Sequence, residues 1–160
     1  MPSLLRTRNL VLLPLLTLAV LAAVTALGPV ADASAASRAQ RTSRAASIAL
    51  QQVGDPYRYG AAGPRSFDCS GLMQYSFRKA GIRIPRTSSA QARRAHRIAK
   101  SKLRRGDLMF FTNGGGVYHA AMFLRWKNGR AQMVHSPGSG KRVRVDRPWT
   151  NRWFAATMRG

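Results

Sequence analysis

The sequence predicts one domain of mixed helix and strand, with helices in its first half and a β-hairpin in its second. Three observations predict it. Apolar residues recur at helical spacing in two runs before residue 81. Two strand-like apolar runs flank an Asn-Gly turn at residues 128–129. The chain has 160 residues, contains no internal repeat, and has room for one modest core.

The N-terminal segment reads as an address before it reads as structure. Arg6 and Arg8 precede an almost unbroken apolar stretch, Leu10 to Val24, and Ala31-Asp32-Ala33 and Ala33-Ser34-Ala35 each offer an A-x-A cleavage site. This is the layout of a secretory signal peptide over residues 1–35. An uncleaved membrane anchor is the alternative, because the apolar run continues weakly to Val30. Pro14, Thr17 and the tandem sites favour removal. On either reading the remainder lies outside the cytoplasm, so the expected location is secreted or in the cell wall. Residues 36–44, small, polar and dotted with arginine, are expected to form a flexible basic leader to a domain spanning 45–160.

The first helix is expected over Ser43 to Val53, with Ile48, Ala49, Gln52 and Val53 at helical spacing and Gly54-Asp55-Pro56 as its stop. A loop rich in Gly, Pro and Ala follows, from Tyr57 to Phe67. Asp68-Cys69-Ser70-Gly71 then opens a second helix carrying Leu72, Met73, Tyr75, Phe77 and Ala80, with Lys79 in its last turn and Gly81 as its stop. Further on, Ala120 to Leu124 and Ala131 to Val134 read as strands joined through Lys127-Asn128-Gly129. His119 opens the first of these and His135 ends the second, so the hairpin brings the two imidazoles together.

Charge and cysteine content narrow the chemistry. Lys and Arg number 27 against 5 Asp and no Glu, a net charge of +22. Such a field draws a protein to polyanions. For an exported chain these are anionic wall polymers or lipid head groups, unless the charge only solvates the surface. The densest basic run, Arg93 to Arg105, has no interleaved aromatic, so no nucleic-acid partner is expected.

Cys69 is the only cysteine, which excludes an internal disulfide and leaves an intermolecular, inert or reactive thiol. At a helix N-terminus, unpaired N–H groups and the helix dipole favour a thiolate and could hold an oxyanion. A buried thiol behind an Asp68 cap fits these residues equally well. His119 and His135 tip the balance, since an activated thiol needs a base and a polar group to orient it. His96, within the basic run, reads as a surface residue. No metal or other cofactor is called for, because two histidines without a close carboxylate make a poor zinc site.

These motifs in this order resemble the NlpC-type (p-sixty) family of bacterial cell-wall cysteine peptidases. Asp68-Cys69-Ser70-Gly71-Leu72 looks like its nucleophile motif, and Pro85-Arg86-Thr87-Ser88 with Gln91 is similar to its next signature. Gly106-Asp107-Leu108-Met109-Phe110-Phe111 resembles its first core strand, His119 the start of its second, and Met133-Val134-His135-Ser136-Pro137 its third. Upstream, Gly54 to Gly60 looks like its tyrosine-bearing loop.

The resemblance implies an α+β, papain-like fold, with the nucleophile helix packed on an antiparallel sheet that carries the histidine. It implies that Cys69 is the nucleophile, His119 its base, and His135 the residue that orients His119. It implies that Tyr57, Asp68, Ser70 and Ser88 line a substrate pocket, with Tyr57 near the oxyanion and Asp68 meeting a substrate amine. The implied substrate is a peptidoglycan stem peptide, cut through a thioacyl-enzyme at the bond between D-Glu and a diamino acid. Three departures stand out: Ala120-Ala121 replaces a Val-Gly step, Arg125 to Arg130 suggests a larger turn, and Ala61 replaces a glycine.

Overall fold

The computed structural model describes residues 30–159, so the apolar stretch Leu10–Val24 lies outside the described residues. Three α-helices, α1 (Val30–Gln51), α2 (Cys69–Lys79) and α3 (Ser88–Arg94), precede or flank a sheet of six strands. The strands are β1 (His96–Ile98), β2 (Leu108–Asn113), β3 (Gly116–Lys127), β4 (Arg130–His135), β5 (Arg144–Asp146) and β6 (Trp153–Thr157). They lie in the order β1-β6-β2-β3-β4-β5, every pair antiparallel. This is the α+β, papain-like fold that the sequence motifs imply.

Strand alternation divides the core in two. Leu108, Phe110, Ala120, Met122, Val134 and Ala156 pack against α1 and α2 through Ala45, Ala46, Ala49, Leu72, Met73 and Phe77. On the other face Met109, Phe111, Ala121, Phe123, Met133 and Ala155 form a smaller cluster with Leu103 and Trp153.

Two expectations are corrected here. Residues 36–44 are not a flexible leader: α1 runs through them and through both A-x-A sites, and Thr42 is fully buried. Thr42, Ala45, Ala46 and Ala49 repeat at helical spacing as a stripe of small side chains. That stripe allows close approach, and a Cβ on Gly106 would stand 2.0 Å from the Thr42 carbonyl oxygen. The packed domain therefore begins before residue 45.

The Arg125–Arg130 segment is not a larger turn either. Asn128 and Gly129 alone turn the chain, with φ of 52° and 69°, and the extra residues lengthen the ladder through Arg125↔Gln132, Trp126↔Ala131 and Lys127↔Arg130. A bulge between Phe123 and Arg125 absorbs the change of register. The basic run 93–105 is dispersed as well: Arg97 lies over the Phe154 ring and Lys100 over Trp153, each at 3.9 Å, while Arg105 reaches Ser47.

Candidate active site

Cys69 is the first residue of α2, and the helix start is fixed by its own sequence. Asp68 is the N-cap: its Oδ1 accepts from the Gly71 N–H at 2.7 Å. Gly71 is required by the loop behind it, since a Cβ there would lie 2.1 Å from the Ala61 carbonyl oxygen. Gln91, fully buried, donates to the Ser70 and Pro85 carbonyls at 2.9 Å each, tying the nucleophile helix to the start of α3.

Of the pocket residues implied by resemblance, Asp68, Ser70 and Tyr57 gather around this end. The Asp68 carboxylate also accepts from the Gly60 N–H at 2.9 Å and the Ser70 hydroxyl at 3.2 Å, and it is paired with both terminal nitrogens of Arg86. Asp68 and Ser70 are buried, and Arg86 also donates to the Ser70 hydroxyl at 3.0 Å. The carboxylate implied to meet a substrate amine is thus held by a cation of the chain itself. Burial works to raise the Asp68 pKa, yet Arg86 and the Gly71 and Gly60 amides hold it below the ordinary carboxylate value. Tyr57 is positioned by the backbone strip 54–57 against 141–143, with its N–H on the Lys141 carbonyl at 2.9 Å. Its phenol pKa is raised by burial and by proximity to Cys69 and Asp68. Ser88, half-buried, opens α3 behind the Thr87 cap.

The base side is assembled across three strands. His119 is the fourth residue of β3 rather than its start, because the strand begins at Gly116. Met122 pairs with Val134 and His135 pairs with Arg144, which sets His119, His135 and Asp146 on successive diagonals of the sheet. His119 Nε2 and His135 Nδ1 are 2.9 Å apart, and His135 Nε2 lies 3.1 Å from Asp146 Oδ2. Asp146, which also accepts from Arg144 Nε, was not expected from sequence. Its only signal there was a lone acid in a basic stretch.

This chain fixes the tautomers. A carboxylate can only accept, so His135 carries its proton on Nε2 and offers a bare Nδ1. His119 then donates from Nε2, leaving its own Nδ1 unprotonated. Burial, reinforced by the neighbouring His135, drives the His119 pKa down to about 3. Burial also lowers the pKa of His135, against the pull of Asp146. Although burial opposes it, hydrogen bonds from His135 and Arg144 keep Asp146 ionised.

The thiol sits beside the Ala120 backbone N–H, one residue from His119. Burial raises the Cys69 pKa; the Ala120, Ser70 and Cys69 amides pull it down without cancelling that effect, and the Asp68 charge adds to the rise. The resting pair is therefore a neutral thiol and a neutral imidazole. The helix terminus favours the thiolate, as the sequence implied, but desolvation outweighs it.

Trp149, also not foreseen, roofs the base side. Its ring stacks on Phe111 at 4.3 Å between centroids and lies 5.3 Å from His119 and 5.5 Å from His135. Its outer half is exposed. The premise of two histidines without a close carboxylate is corrected by Asp146. The acid instead extends a linear hydrogen-bond chain, and among the described residues no three His, Cys, Asp or Glu side chains form a group able to hold a metal.

Comparison with known proteins gives a consistent picture. The model of the NlpC/P60 family matches residues 54–160. The probable endopeptidase p60 of Listeria monocytogenes is 41% identical over 92 residues, covering 58% of this chain but only 18% of that protein. Among solved structures, the NlpC/p60 domain of the peptidoglycan hydrolase SagA matches with a TM-score of 0.65 at 31% identity, covering 73% of this chain and 98% of that one. RipD of Mycobacterium tuberculosis, described as a non-catalytic NlpC/p60 protein adapted to peptidoglycan binding, matches with a TM-score of 0.62 at 26% identity, covering 74% and 98%.

Proposed function

Because the chain belongs to the NlpC/P60 family, we propose that it is an exported cysteine endopeptidase that hydrolyses peptidoglycan stem peptides. The observation that carries the reading is the hydrogen-bonded chain His119–His135–Asp146, with the Cys69 thiol beside the backbone N–H of Ala120, the residue next to His119.

Substrate entry excludes water and brings a carbonyl carbon to the sulfur. His119 Nδ1 takes the thiol proton as the S–C bond forms, and the new imidazolium is stabilised through His135 by Asp146. The oxyanion is met by the amides at the start of α2, with Tyr57 beside them. His119 returns the proton to the leaving amine as the C–N bond breaks, giving a thioacyl-enzyme and the first product. Water then attacks the thioester with His119 again as base, and the second product leaves as a carboxylate. Arg86 is committed to Asp68, Ser70 and the Ala61 carbonyl, so its part in the reading is to hold the Asp68 and Ser70 side of the pocket in place. The bond between D-Glu and a diamino acid is the part of the reading that rests on the family alone.

The basic surface would retain the enzyme on an anionic wall, and raising the ionic strength should then release it. Wall binding indifferent to salt would remove that part of the reading. RipD supports a second reading, a binding protein with a spent site, and a fast reaction of Cys69 with a substrate-like thiol probe separates the two. The decisive test is mass spectrometry of muropeptides incubated with the chain and with its Cys69→Ala variant. New fragments from the wild type alone are expected, their masses naming the bond. No fragments from a folded wild type would refute the peptidase.

A further inference from the structure

A second concentration of function-bearing side chains lies at the other end of α2. There the chain leaves the helix through Gly81 beside a recess of about 300 Å³. Arg38 and Arg41 of α1, Arg83, Arg94 at the end of α3 and His96 at the start of β1 line it. We propose that this recess binds a phosphodiester group of an anionic polymer.

The electrostatics make the case. Four guanidiniums drawn from three separate places in the chain converge on one concavity, and no carboxylate lines it among the described residues. Asp68, Asp107 and Asp146 are committed elsewhere, to Arg86, Arg159, and His135 with Arg144. Arg41, Arg83 and Arg94 form no salt bridge among the described residues, and the Nε of Arg41 is buried without a hydrogen-bond partner. Like charges gathered in a recess repel, and a concave wall concentrates their field. An anion relieves both costs. The helix C-terminus does not account for the cluster, because Arg78 and Lys79 already occupy the last turn of α2.

The chemistry of the lining selects the anion. Guanidinium forks match the oxygens of a phosphate bidentately, and several of them around one recess suit a tetrahedral group approached from more than one side. Two apolar side chains, Ile82 and Met158, also line the recess, but Met158 is buried and Ile82 half-buried. None of the exposed large hydrophobic residues among the described ones (Val53, Tyr59, Tyr118, Trp126, Val145 and Trp149) lines it, so the described surface offers little apolar fringe for a bilayer to engage. No Phe, Tyr or Trp lines it, so His96 is the one ring there and no aromatic platform for successive nucleobases is present among the described residues. A flexible polymer of alternating polyol and phosphodiester fits on both counts. This assignment rests on the wall-directed reading only for the identity of the polymer.

The test is titration of poly(glycerol phosphate) into the full chain at low and high salt. Two double variants are compared, Arg83→Gln with Arg94→Gln, and Arg125→Gln with Arg130→Gln at the distant hairpin tip. Both remove the same charge. Affinity should fall about tenfold or more in the first pair and by less than about twofold in the second. Equal losses in the two would reduce the effect to net charge and overturn the site. So would absence of polymer binding, or tight binding to phosphatidylglycerol vesicles that is lost in the first pair while the polymer stays unbound. Hydrolysis of small soluble muropeptides, followed in parallel, separates the two readings. It should be unchanged in both variants, and polymer binding without hydrolysis by the wild type would leave the recess standing and the peptidase reading fallen.

Discussion

The two halves of the catalytic cleft are built by different means. On the thiol side, Cys69 is held by its immediate neighbours in sequence: the Asp68 cap, the Gly71 contact with the loop, and amides of its own helix turn. On the base side, His119 is held through side chains from three strands, ending in an acid 27 positions away in the chain. The thiol is thus set by backbone geometry, and the base by a relay whose members each fix the tautomer of the next. A substitution on the first side should disturb folding and chemistry together. One on the second side can leave the fold intact and remove only the proton path.

The largest effect should come from the protonation state of the thiol. With Cys69 raised above an ordinary cysteine and His119 neutral, alkylation of the free enzyme should climb about tenfold per pH unit from pH 6 to 9. The total rise should approach about 10³-fold. A plateau across that range would mean a resting thiolate–imidazolium pair and would erase the contrast drawn between the two sides.

Next comes the end of the relay. Asp146→Asn should lower kcat by about 10- to 100-fold with little change in KM or in the unfolding midpoint, because the amide no longer fixes the His135 tautomer. If kcat and stability fell in step, Asp146 would be a structural residue of β5 and no part of the relay.

Stability should follow the buried imidazoles. The folded pKa of His119 is depressed to about 3, so between about pH 6.5 and 3 the unfolded chain binds the proton and the folded chain does not. Stability is full above pH 6.5 and should decline by about 1 kcal/mol per pH unit as acid is added. His135, also lowered, steepens the slope. Denaturant unfolding across this range should show a shallower slope in His119→Asn, and an unchanged slope would contradict the burial argument.

The smallest effect belongs to the roof. Trp149→Ala opens one wall of the base side without touching the hydrogen-bond chain, and should raise KM about three- to tenfold on soluble muropeptides while kcat moves less. A dominant loss in kcat would make the ring part of the machinery that keeps His119 dry.

Much of the fold could be read from local pattern. The span of α2, its Asp68 cap and Gly81 stop, and the Asn128-Gly129 turn follow from rules that act over a few residues. The leader was misread because Thr42, Ala45, Ala46 and Ala49 are small rather than conspicuously apolar, and only the close approach of Gly106 shows why smallness is needed. Asp146 and Trp149 could not be found for a related reason. Neither sits in a motif, and each acts only through a partner that the sheet brings to it.

By itself the sequence placed the candidate thiol at a helix start, with its cap, and the two histidines on one hairpin, since capping, turn chemistry and strand alternation are local and short-ranged in their physics. The tertiary structure decided the rest: that Asp68 is neutralised by Arg86, that Asp146 completes the relay, and that guanidiniums scattered from residue 38 to residue 94 converge on one recess. It also decided the protonation of the site, because desolvation depends on what is packed around a group and not on its neighbours in the chain.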